Sequence, residues 1–414
     1  MKKVQLFFLV TMILSALHSE ASTIRVGPAE SVTQIKQAIT MAVPGDTILI
    51  RSGTYREGNI ILQKSIVLLG ENYPILDGEN LYEILTIHAN QVTVQGLKFI
   101  NTGTGSIEDK AAIKILDSKN LHILSNQFEN TFFGIYLANS SNIWIENNDL
   151  KSDAEAEHQI GNGIHLWKCQ YITINLNKIK GHRDGIYFEF VTNSLITNNY
   201  SEGNMRYGLH FMFSHNDEYR DNTFINNGAG VAVMYTKGVK MINNRFIHNW
   251  GSSSYGLLLK DISDSFVTGN EFVENSVGIH AEGSSRIQFR ENEFTRNGYA
   301  FKLQASCDDN VIEHNNFQQN TFDLVTNGSL VLNRIESNYW DRYEGYDLNR
   351  DQVGDVPYRP ISMYGMIVER MPTAVLLWRS FLVFLLDRAE KAIPVITPEN
   401  LKDNLPSMKA YDFN

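Results

Sequence analysis

Two short patterns recur together through most of this chain, and their shared spacing restricts the fold more than any other feature. The first is Asn, any residue, then a large apolar one, opened by Asn126, Asn148, Asn177, Asn198, Asn222, Asn244, Asn270, Asn292, Asn315 and Asn338. The second is Gly–apolar–any–apolar, opened by Gly134, Gly163, Gly185, Gly208, Gly230, Gly256 and Gly278, with Ala300 in the Gly place of the next copy. Most copies lie 21 to 24 residues apart; intervals of 29 and 26 coincide in both series and locate insertions at Ser152–Asn162 and Trp250–Tyr255. Matching phase between two independent patterns marks a true repeat.

Each unit holds two or three runs of alternating apolar residues, such as Gly208 to Phe211, separated by Asn and Gly. Alternation means strands with one buried face, and the turn residues are too frequent for helices. One such unit cannot bury its apolar face alone, whereas stacked units bury a continuous core. The expected fold is therefore all-β: a single-stranded, right-handed parallel β-helix, a pectin-lyase-like solenoid. Its coils sit ~4.8 Å apart. Inward Asn side chains stack as an amide ladder, which makes the Asn series structural.

The ends carry other signals. Lys2 and Lys3, the apolar run from Val4 to Leu17 and the small residues of Ser19-Glu20-Ala21 predict a secretory signal over residues 1–21. Residues 22–46 are assigned to an N-terminal cap, with a helix over Ser31–Val43, Ser31 as its N-cap and Pro44-Gly45 as its stop. The β-helix is assigned to residues 47–345, an Asp/Asn-rich loop region to 346–365, and an apolar helix with its tail to 366–414. Composition of 43% hydrophobic and 20% charged residues suits a globular chain, and a net charge of −10 excludes a nucleic-acid sleeve. The two cysteines, Cys169 and Cys307, are too few for a disulfide-built fold. Six coils separate them, roughly 29 Å along the axis, so both are expected to be free thiols.

Chemistry on such a scaffold must come from outward residues or loops. In the Gly-led strand the second, fourth and sixth residues after Gly are expected to point outward. That places His165 and His210 in one column, Met212 and Met234 in the next, and Cys169 in the third. Thioether and imidazole form a soft ligand set, which selects Cu(I) over Mg²⁺ or Ca²⁺. The candidate ligands are His210, Met212 and Met234, with His165, Cys169 and the strand-end His215 in second rank. The other reading of the methionine pair is apolar packing beneath a loop or partner. A β-helix polyuronide lyase or epimerase is the alternative function, with His182, Arg183, Asp184 and Glu189, or Asp217, Glu218 and Arg220, as its acid–base candidates.

Near the C-terminus, Asp347, Asn349, Asp351 and Asp355 place oxygen side chains as calcium loops do, although Tyr358 stands where an EF-hand has its closing Glu. A solvated Asp/Asn turn is the other reading. The apolar stretch Ala374–Leu386 is too short to span a bilayer, which needs ~20 residues. It predicts an amphipathic helix that presents Trp378, Phe381, Phe384 and Leu385 to a partner, or else folds back as a cap.

Gly161 to Trp167, Gly181 to Tyr187, Arg206 to Met212 and the segment from Asn338 to Pro357 resemble the NosD family, periplasmic maturation factors of nitrous oxide reductase. The resemblance covers essentially the whole chain, and Arg206–Asp217 is its most specific part. It implies a non-enzymatic protein of the periplasm, membrane-associated through an ABC transporter made of the permease NosY and the ATPase NosF. It also implies transient Cu(I) handling between the lipoprotein NosL and the reductase, with the C-terminal helix docked on the permease. The ligand assignment above comes from register and not from the family.

Overall fold

The computed structural model describes residues 21–105, 109–328, 332–378, 380–392 and 401–413. The expected signal peptide, residues 1–21, lies almost wholly outside the described residues. From Thr23 to Trp340 the strands build a right-handed parallel β-helix of three sheets. One sheet has 14 strands, from Thr23–Val26 to Arg334–Glu336; another has 12, from Ile60–Leu62 to Phe322–Val325; the third has 13, from Thr54–Tyr55 to Tyr339–Trp340. All pairs of these strands are parallel and follow the order of the coils, so each strand meets its counterpart one turn along.

The Asn ladder forms as expected, with one correction. Each Asn accepts from the backbone N–H of the Asn one coil earlier, through Asn126, Asn148, Asn177, Asn199, Asn222, Asn244, Asn270, Asn292, Asn315 and Asn338. The fourth rung is Asn199, not Asn198. Asn198 turns the corner with φ 55°, while Asn199 is buried. The motif misled because this coil places Ser201, not a large apolar residue, at the inward position; Ser201 pairs with Ile179 in register.

A second ladder stacks on the next corner of the coil, formed by Asn204, Asn227, Asn249, Asn275, Asn297 and Asn320. Only its last three rungs, Asn275, Asn297 and Asn320, open the Asn–any–apolar motif, although the steps of 23, 22 and 26 residues before them repeat the first ladder's rhythm. The Gly column lies beside it. A Cβ on Gly163, Gly185 or Gly208 would stand 2.7, 2.5 or 2.7 Å from the carbonyl oxygen of the next glycine along the axis. Close stacking of coils therefore demands glycine here.

The N-terminal segment contains more solenoid than expected. Thr23–Val26 pairs in register with Thr47–Ile50, so the first coil starts inside the segment assigned to the cap. The cap helix α1 spans Ile35–Met41 with Gln34, not Ser31, at its N-cap. Gln34 makes no side-chain cap; the Glu57 carboxylate of the next coil accepts from the N–H of Ile35 and Lys36 instead. A carboxylate at a helix N-terminus satisfies two orphan donors and opposes the helix dipole.

At the other end, helix α2 spans Met363–Arg370, beginning inside the segment assigned to the loop region. A 3₁₀ turn over Pro372–Leu377 and helix α3 over Phe381–Ala392 replace the single helix expected over 374–386. Lys302 on the 12-stranded sheet holds α2 through Glu369 at 2.8 Å. The tail then returns to the solenoid. Asp403 accepts from the backbone N–H of Ser337 and Asn338, from the side-chain amide of Asn338 and from the Trp340 indole. It occupies the place of one more rung, so the ladder ends on a carboxylate that has spare acceptors and needs no further donor. Both cysteines are free and buried.

Candidate metal-handling face

The outward face of the 12-stranded sheet carries the residues singled out by register. Met212 and Met234 lie directly opposite one another on adjacent coils. Glu189 precedes them in the column and Lys260 follows, and all of these side chains are half-buried. His210 shares the strand of Met212, two residues away and on the same face. Register thus puts these three residues on one face of adjacent coils.

The corner after this strand revises the outer members. Lys168, Phe190, Phe213 and Tyr235, each next after the fourth-place residue, take left-handed φ values of 51°, 54°, 50° and 55°. A left-handed residue breaks the two-residue alternation, so the sixth places turn inward. Cys169, Val191, Ser214 and Thr236 are accordingly buried. Cys169 packs in the core, its thiol donates to the Trp167 carbonyl at 3.4 Å, and burial pushes its pKa up to about 11. It is not on the face that carries Met212 and Met234. His215 lies beyond the corner, bridged to Thr192, and its Nδ1 accepts from the N–H of Lys237 at 3.2 Å.

Other coils place Asp117, Asn139, Asp261 or Gly283 at this left-handed corner, residues suited to it. Beside the methionines it holds a run of stacked aromatic rings instead. Phe190 and Phe213 lie 5.4 Å apart, and Phe213 and Tyr235 5.0 Å. They remain 44%, 38% and 39% exposed. Their edges face solvent while their faces cover one another.

His165 stacks between Tyr136 and Tyr187, at 4.8 and 4.9 Å, and its Nδ1 pairs with the Asn162 side-chain amide at 3.0 Å. Burial lowers its pKa to about 4. Two coils from Met212 and with one nitrogen occupied, it belongs to an aromatic stack and not to the methionine pair.

His210 is 5% exposed, and neither ring nitrogen has a hydrogen-bond partner. The edge of Tyr187 and the tilted ring of Tyr207 close over it at 5.0 and 4.6 Å, and the guanidinium of Arg206 lies 5.2 Å from the Tyr207 ring centre. The fully buried Asp184 places Oδ2 3.8 Å from His210 Nδ1, while its Oδ1 accepts from the N–H of Tyr207 at 3.3 Å. Burial and the nearby Glu189 and Asp184 push the Tyr187 phenol up to about 12.

Of the acid–base candidates, Asp217 points into the core and burial pushes its pKa up to about 8. His182 is fully buried at the head of the second Asn ladder, where burial lowers its pKa to about 4. Neither can reach a glycan from there. Among the described residues, no three His, Cys, Asp or Glu side chains are gathered closely enough to hold a metal ion. A closed site of hard or borderline ligands is thus absent there, whereas a site resting on thioethers is of a different kind.

The oxygens of the Asp/Asn loop are turned onto its own backbone. Asp347 accepts from the N–H of Arg350, Asp351 and Gln352, Asp351 from that of Val353, and Asp355 from that of Leu348. These are the bonds of a solvated Asx turn. Of the four residues expected to dock a partner, Trp378 is instead packed against Phe322 and Tyr364, at 5.3 and 5.9 Å. The outer side of this end remains apolar: Leu376 is 86%, Phe381 73%, Phe384 52% and Leu385 46% exposed. No helix among the described residues is long and apolar enough to cross a membrane.

Residues 151–350, which include this face, match the family model described as "NosD: Periplasmic copper-binding protein (NosD)". The chain is 26% identical over 383 residues to the "Probable ABC transporter binding protein NosD" of Stutzerimonas stutzeri, covering 86% of each chain. It is 27% identical over 418 residues to the protein of the same description from Pseudomonas aeruginosa, covering 93% of this chain and 96% of that one. Tailspike protein 3 of bacteriophage CBA120 shares the fold with a TM-score of 0.56 and 12% identity, over 80% of this chain and 62% of that one. The catalytic domain of a GH87 alpha-1,3-glucanase does so with a TM-score of 0.52 and 11% identity, over 77% and 69%. Likeness at that level of identity concerns the solenoid alone.

Proposed function

We propose that the chain is a protein of the NosD family, a non-enzymatic periplasmic copper-handling protein attached to an ABC transporter, as its likeness to the family model and to two relatives over most of its length supports. The observation that carries this reading is the in-register, outward pairing of Met212 with Met234. Held outward on adjacent coils, the two neutral thioethers stand side by side, a pair that suits Cu(I) and binds hard cations poorly. His210 is the third ligand, reached when the ring of Tyr207 gives way. A site that is open and weakly ligated releases its cargo, as delivery from NosL to nitrous oxide reductase requires.

The exposed aromatic run of Phe190, Phe213 and Tyr235 supports a protein as the copper donor or acceptor. Aromatic residues are enriched at protein interfaces. At the C-terminal end, Leu376, Phe381, Phe384 and Leu385 are the surface for the permease NosY, itself driven by the ATPase NosF. A cap role and a docking role coexist there: Trp378 and Val383 face the solenoid while the others face outward.

Cu(I) titration against a competing chelator tests the metal assignment. Met212→Ala/Met234→Ala should lose more than about tenfold in affinity. The docking surface is tested by Phe381→Asp/Phe384→Asp, which should abolish co-purification with the permease and leave the melting temperature of the solenoid in place. Retained co-purification would make this end a cap only.

A further inference from the structure

We propose that Asp184 is the positioning residue of His210: it holds the imidazole in the Nδ1–H tautomer, so that Nε2 is the nitrogen left with a lone pair for Cu(I). The inference rests on the metal assignment to Met212, Met234 and His210, and it assigns a role to a residue outside that set.

Burial makes this pair costly. Asp184 is fully buried and its Oδ2 has no hydrogen-bond partner; His210 is nearly so, with both nitrogens unpartnered. A buried polar atom left unsatisfied forfeits its hydration without a bond in return. Two of these atoms face one another, Oδ2 of Asp184 3.8 Å from Nδ1 of His210, and Nε2 is left without a partner. The groups around the pair exclude other partners for Nδ1. Oδ1 of Asp184 is taken by the N–H of Tyr207, and Arg206 Nε stands 3.9 Å from that same oxygen, which leaves Oδ2 toward the ring. Tyr187 and Tyr207 contribute ring contacts at 5.0 and 4.6 Å.

A carboxylate can only accept, so a neutral imidazole beside it places its single proton on Nδ1. The remaining nitrogen then has its lone pair free, the form in which histidine binds metal, and the carboxylate raises its basicity. A cation arriving at Nε2 also acquires a buried anion behind the ring to balance its charge. Closing the gap from 3.8 Å to hydrogen-bond length needs a small shift of the ring toward Asp184.

Two readouts test this on the full chain. In the first, ¹⁵N chemical shifts of the His210 ring are recorded in the metal-free protein at a pH where the ring is neutral. The Nδ1–H tautomer is expected, and a dominant Nε2–H tautomer overturns the proposal without any variant. In the second, Asp184→Asn is titrated with Cu(I). An amide can donate as well as accept, so the tautomer should become mixed and the affinity should fall about 10- to 100-fold. An unchanged tautomer and affinity in a folded Asp184→Asn protein overturns the role. If Met212→Ala/Met234→Ala loses Cu(I) and Asp184→Asn does not, the metal assignment stands and only the positioning role falls. If neither variant loses it, both fall.

Discussion

At the scale of single residues, burial in a solenoid core reverses ordinary acid–base behaviour, and Asp217 shows it most clearly. Its Oδ1 accepts from the N–H of Ser194 at 2.8 Å, its Oδ2 has no partner, and desolvation pushes the carboxyl up to about 8. The unfolded chain releases this proton near the ordinary carboxylate value of ~3.9. The folded protein keeps it to about pH 8, so the unfolded state gains relative stability as the pH rises between those values. Asp217→Asn retains the acceptor for Ser194 and removes the ionisable group. It should leave the stability unchanged near pH 4 and raise it by on the order of a few kcal/mol above pH 7. Chemical denaturation at the two pH values checks this; equal effects at both would mean that the carboxyl is ionised in the fold.

The elements explain which parts of the architecture could be read from residues alone. Matching spacings of Asn and Gly identified the repeat, because each rung must sit where its neighbour's amide reaches it. The same spacing put Met212 over Met234. What escaped was decided by single backbone conformations. Left-handed Lys168 turned Cys169 inward, and left-handed Asn198 shifted a rung by one residue. Neither carries a sequence mark, since Lys and Phe adopt that conformation here as well as Asn and Gly. Nor could Asp184 and His210 be paired beforehand, because their contact joins residues before and after the glycines of two coils. The role of Asp403 was invisible for a similar reason: it lies 65 residues from the Asn338 rung it closes. Asp403→Ala removes the acceptor of Ser337, Asn338 and Trp340 donors and should destabilise the C-terminal cap by on the order of 3–5 kcal/mol. Solenoid coils couple mainly to their neighbours, so hydrogen exchange should quicken first at Ser337 and Asn338 and last near the chain's middle. Uniform quickening would mean that the cap and the coils unfold together.

The described residues form one continuous solenoid with two surfaces set apart, a face that carries Met212 beside Met234 and an apolar end closed by returning chain. In the proposed role the parallel stacking holds the two methionines side by side before any ion arrives, and only His210 has to be uncovered by the Tyr207 ring. On this reading copper meets the chain at the thioether pair and not at the thiol. The most direct measurement is Cu(I) affinity under chelator competition for wild type, Met212→Ala/Met234→Ala and Cys169→Ser side by side. The methionine variant should lose Cu(I) binding while Cys169→Ser, whose sulfur points into the core, matches wild type. Loss of binding in Cys169→Ser with the methionine variant unaffected would contradict it.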